Sequence, residues 1–62
     1  MDTIGTIKLN TGHWITGVTR HDTSDGPYFL GWSAGGWLME GRGHPDPRLC
    51  DWHGVDRLFR SA

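Results

Sequence analysis

The sequence predicts an all-β domain in which five short strands curl into a small barrel, with a 3-10 turn ahead of the last strand. Three observations carry that expectation. Apolar and polar residues alternate over short runs, as in Ile7-Lys8-Leu9 and from Tyr28 to Ser33, which is the period of a strand with two different faces. Turn-forming clusters, Asn10-Thr11-Gly12, Asp25-Gly26-Pro27 and Ala34-Gly35-Gly36, interrupt those runs. Ten glycines are spread along the chain rather than clustered, which suits strands that bend sharply. No linker or internal repeat divides the chain, so residues 1–62 are read as one domain.

The first element is a hairpin over residues 3–20. Ile7 and Leu9 alternate with Lys8, Asn10-Thr11-Gly12 forms the loop, and Ile15 and Val18 continue on the return strand. These last two fall on opposite faces of a regular strand, so either Gly17 marks a bulge or both faces are partly covered. After the turn at Asp25-Gly26-Pro27 a third strand runs from Tyr28 to Ser33. Tyr28, Leu30 and Trp32 share one face of it, Phe29 and Gly31 the other, and Tyr28 and Trp32 are assigned to the core beside Leu30. A tight connection through Ala34-Gly35-Gly36 leads to a fourth strand, Trp37 to Arg42.

The final segment admits two readings. Asp46-Pro47 suits an N-cap followed by a first-turn proline, and Leu49, Trp52, Val55 and Leu58 or Phe59 recur at helical spacing, which would give a four-stranded sheet plus a C-terminal helix. Gly54 argues against it, because glycine inside a helix costs about 1 kcal/mol relative to alanine. The favoured reading is a fifth strand at 48–52, a 3-10 turn through 53–56 and a short closing strand at 57–60.

That ending, Trp52-His53-Gly54-Val55-Asp56-Arg57-Leu58-Phe59, resembles the last turn and strand of SH3-like and Sm-like barrels. The stretch Ile7-Lys8-Leu9-Asn10-Thr11-Gly12-His13-Trp14-Ile15-Thr16-Gly17 is similar to the first Sm signature: alternating apolar residues, a glycine, an apolar residue, and a second glycine. The resemblance covers about half the chain and lies at the level of the fold. It implies a five-stranded SH3-like/Sm-like barrel and, as one functional option, RNA or DNA binding. Thr19 stands where that signature carries an apolar residue, and the segment from His21 to Phe29 holds no asparagine for a base-binding loop, so ring assembly and base recognition are not carried over.

Size constrains what else the chain does. A domain of 62 residues buries only about 60% of the surface its unfolded form exposes, and small domains compensate with disulfides, a metal or association. Cys50 is the single cysteine, which excludes an intrachain disulfide and fits a reducing cytoplasm. Six basic residues balance seven acidic ones, and no basic run is present to drive phosphate binding through counterion release. The N-terminal residues lack a signal-peptide pattern and no apolar stretch approaches membrane-spanning length, so a soluble cytoplasmic protein without a membrane partner is expected.

Cys50 and His53 have ligand-like spacing, with His44 as a weak third candidate for zinc, but a strong metal signal needs two such pairs. The favoured reading makes Cys50 a small core residue and His53 a turn residue, with no cofactor. A Cys-His nucleophile would require a cleft and a preorganised supporting shell that so small a domain rarely builds, so no enzyme activity is expected. Arg42 and Arg48 flank a glycine-rich connection and would touch phosphates in a nucleic-acid binder; the simpler reading pairs them with Glu40, Asp46 or Asp51.

Four tryptophans, a tyrosine and two phenylalanines exceed what the core of so short a chain encloses. Trp14 and Trp37 stand near strand beginnings and are the expected exposed rings, with Trp52 on either side of that line. The expectation is a non-enzymatic protein-binding module, a small inhibitor or adaptor, meeting its partner through Trp14, Trp37, Trp52, Arg42 and Arg48 and open to homodimer formation through an edge strand. An Sm-like or SH3-like nucleic-acid binder is the alternative.

Overall fold

The computed structural model describes residues 2–55. They form one antiparallel sheet of five strands in chain order: β1 (Asp2–Lys8), β2 (Trp14–Thr23), β3 (Gly26–Ser33), β4 (Leu38–Arg42) and β5 (Asp51–Gly54). The described residues are therefore all-β, as their alternation implies. Among the described residues β1 and β5 are the two edges of an open sheet and do not pair with each other. The expected closing strand at 57–60 lies outside the described residues.

The turns follow from their residues. Leu9 donates to the carbonyl of His13 at 2.8 Å and Gly12 to that of Leu9 at 2.9 Å, and Gly12 adopts the left-handed φ of +96° that the loop demands. Gly17 resolves the conflict between Ile15 and Val18. Its φ is +61°, the β2–β3 register shifts between Thr16 and Thr19, and the resulting bulge turns both Ile15 and Val18 inward.

Those two residues, with Leu9 and Phe29, form the core, and Ile7, Met39, Cys50 and Trp52 pack around it. Phe29 and Gly31 thus occupy the inner face of β3, which corrects the assignment of Tyr28 and Trp32 to the core: both lie on the opposite face and are half-buried. Alternation divides a strand into two faces without saying which one is enclosed. Gly31 decides it, because a Cβ there would collide with Ile15 and come within 3.0 Å of Val18.

The 3-10 turn is displaced from its expected position. It lies at Pro47–Leu49, ahead of β5, and His53 and Gly54 belong to that strand rather than to a turn at 53–56, of which Asp56 lies outside the described residues. Asp46 accounts for the placement: its carboxylate accepts from the Arg48 backbone N–H at 3.0 Å while Pro47 supplies the first-turn φ, so the helical signal is genuine but spans a single turn. The alternative of a C-terminal helix is excluded over residues 51–54, which pair with β4 from Met39↔Gly54 to Arg42↔Asp51.

A hydrogen bond from the Asn10 N–H to the Arg48 carbonyl, at 3.3 Å, draws the tip of the first hairpin against the 3-10 turn. It brings the segment of Leu9, His13 and Trp14 close to that of Cys50, Asp51 and Trp52.

Candidate protein-binding site

Between those two segments lies a groove of about 450 Å³. Leu9, Ile15 and Met39 contribute apolar lining, Trp14 and Trp52 are its aromatic residues, and His13 and Asp51 add polar groups.

The two rings are held differently. Trp52 is half-buried and fixed: its indole N–H donates to the Pro47 carbonyl at 2.7 Å, and its ring lies over Gly41, where a Cβ would come within 2.5 Å. Trp14 opens β2. Alternation sends its neighbour Ile15 into the core and leaves the Trp14 ring 54% exposed. The register sets Trp14 opposite Lys8, whose ammonium sits 5.7 Å from the ring centroid, within cation–π range.

Of the five residues expected to meet a partner, Trp14 and Trp52 share the groove and the other three do not line it. Trp37 is half-buried just before β4. Its backbone closes the β3–β4 turn, with the N–H donating to Ser33 Oγ at 3.2 Å and the carbonyl accepting from the Ser33 N–H at 2.9 Å. Arg42 lies with its guanidinium 4.5 Å from the centroid of Tyr28 and donates twice to Glu40, at 2.7 and 3.3 Å. Arg48 grips Asp46, with Nη2 2.9 Å from Oδ2. The hydrogen bond from Arg42 holds Glu40 below the usual carboxylate range, and that from Arg48 does the same for Asp46.

The metal candidates are not gathered. Cys50 donates its thiol to the His44 carbonyl at 3.1 Å, the His44 ring accepts from the Asp46 N–H at 2.9 Å, and His53 approaches Glu40 at 3.5 Å. No cluster of three or more His, Cys, Asp or Glu forms among the described residues. Burial pushes the Cys50 thiol up, so it is protonated at neutral pH and a poor nucleophile.

Most of the groove lining, His13 and Met39 among it, was not singled out by the sequence reading, which named Asp51 only as an ion-pair partner. The Lys8–Trp14 pair beside the groove was legible in principle, since both residues are equidistant from Thr11 at the centre of the loop and a regular hairpin must pair them.

Comparison of the chain with protein-family models, with curated proteins and with solved structures returns no match, so the reading of this site rests on its own geometry.

Proposed function

We propose that this chain is a non-catalytic protein-binding module that covers part of the surface of a larger protein, as a small inhibitor or adaptor does, and engages it through the groove between Trp14 and Trp52. The observation that carries the reading is Trp14. A ring 54% exposed beside a largely apolar groove is the kind of anchor that dominates binding energy at protein interfaces. The finer architectural reading, a barrel of SH3-like or Sm-like type, belongs to the same proposal and is supported by the bond that ties Asn10 in the β1–β2 loop to Arg48 in the turn before β5.

Two features favour this surface over its competitors. The β1 edge is interrupted by register shifts on both sides of Gly5, and β5 has only four residues, so neither edge offers a long flat template for pairing with a second copy. Arg20, Arg42 and Arg48 each hold a carboxylate, on Asp22, Glu40 and Asp46. Local neutralisation of that kind weakens the electrostatic attraction on which nucleic-acid binding depends. No helix among the described residues is long and apolar enough to cross a membrane.

The test is capture of partners from host-cell lysate by the tagged chain and by Trp14→Ala, each with and without nuclease. A discrete protein retained after nuclease treatment and lost with Trp14→Ala supports the reading. Recovery that disappears with nuclease and falls steeply with salt replaces it with nucleic-acid binding.

A further inference from the structure

We infer that the partner presents a carboxylate to Lys8 and an apolar side chain to Trp14, so that the occupant of this surface is an acidic segment with an apolar residue beside the acid. The inference rests on the proposed role of Trp14 as the anchor for a protein partner and names the chemistry that this anchor selects.

Three observations carry it. The register sets Lys8 directly opposite Trp14 and Ile7 opposite Ile15; Ile15 is buried in the core and Ile7 packs against it, so Lys8 and Trp14 project together from the other face of the hairpin. They meet there, with the ammonium 5.7 Å from the ring centroid, the lysine exposed and the ring 54% exposed. Next, Lys8 is the one lysine or arginine among the described residues that holds no carboxylate, whereas Arg20, Arg42 and Arg48 pair with Asp22, Glu40 and Asp46. An ammonium carries three N–H donors, and a ring face engages only the side turned toward it. Finally, the same face stays apolar beyond Trp14: Trp32, opposite Thr16, and Leu38, opposite Trp32, are half-buried on it. One uncommitted cation at the border of an apolar surface is complementary to a single carboxylate with an apolar neighbour. A polyanion needs a row of cations to release its counterions, and a basic segment would be repelled by Lys8.

Substitutions at Lys8 separate this pairing from contact with the ring alone. Lys8→Met keeps an apolar stem but removes the charge, and weakens binding of the acidic segment by about two- to five-fold, the scale of an exposed ion pair. Lys8→Arg keeps the charge and retains binding.

The experiment follows the Trp14 indole N–H resonance of the full chain by NMR while N-acetyl-Glu-Leu-Glu amide is added, with the neutral N-acetyl-Gln-Leu-Gln amide in parallel. The expected result is that the resonance moves with the acidic peptide and little with the neutral one, and that affinity falls in Lys8→Met and persists in Lys8→Arg. It should also fall as salt is raised from about 0.01 M to about 1 M, which shortens the Debye length from about 30 Å to about 3 Å. Equal responses to the two peptides, no response to the acidic one, or an unchanged affinity in Lys8→Met would overturn the assignment, as would a short oligothymidylate that moves the resonance at lower concentration than the acidic peptide. In each of the first three cases, a nuclease-resistant partner captured from lysate and lost with Trp14→Ala would leave the protein-binding reading standing, so the two failures are distinguishable.

Discussion

Trp52 and Trp14 line one groove and are supported in opposite ways. Trp52 lies over a glycine on the neighbouring strand, where a Cβ would collide with its ring, whereas a Cβ at Gly17 or Gly35 would meet the rings of Trp32 and Trp37 only at an ordinary contact distance of 3.4 Å. Among the described glycines none comes within 4 Å of Trp14 in this way. In a sheet too small to enclose four indoles, Trp52 is accommodated because the facing residue, Gly41, has no side chain. Trp14 has no such position and stays in solvent, which gives a physical reason for separating it from the structurally held Trp52.

That contrast is sharpened first at the core, where the effect is largest. Phe29→Ala empties a fully buried site and is expected to cost about 3–5 kcal/mol, comparable with the whole stability of so small a domain, so the variant should be unfolded by circular dichroism without denaturant. Gly41→Ala attacks the support of Trp52: the added methyl would sit 2.5 Å from the ring, and the expected loss is about 1–3 kcal/mol in urea unfolding, with a displaced Trp52 indole resonance. If Gly41→Ala leaves both unchanged, the glycine does not hold that ring. Trp14→Ala should shift stability by no more than about 0.5 kcal/mol.

The smallest expected effect comes from the surface ion pairs. Glu40 and Asp46 have lower carboxyl pKa values folded than unfolded, through the hydrogen bonds from Arg42 and Arg48. Such a group contributes stability above its unfolded pKa and loses it as pH falls through the lowered value. Thermal midpoints should therefore decline gently below about pH 4, and less so in high salt. A profile flat from neutral to acid pH would show that the arginine pairs contribute nothing to stability.

Much of the fold was legible because its signals are local. Gly12 marked a loop, a bulge at Gly17 was one of two options, and Asp46-Pro47 was read as a helical cap although the helical signal spans only one turn; each signal depends on backbone geometry near the residue. The inner face of β3 was not legible from alternation, since Tyr28, Leu30 and Trp32 look more like a core than Phe29 and Gly31 do; only the packing of Ile15 and Val18 into the space at Gly31 reverses that impression. The extent of β5 depended on pairing with β4, a long-range contact invisible in the segment itself. For the groove, the exposure of Trp14 followed from its place at the start of β2, whereas its meeting with Trp52 depends on the bond between Asn10 and Arg48, residues far apart in sequence.

The central claim is that Trp14 serves binding and not folding, and one paired measurement on Trp14→Ala tests it: the urea midpoint of the variant alongside its capture of the nuclease-resistant partner. The account requires an unchanged midpoint together with lost capture. A lowered midpoint would make Trp14 a structural ring, and capture at the level of the unaltered chain would move the binding surface elsewhere on the sheet.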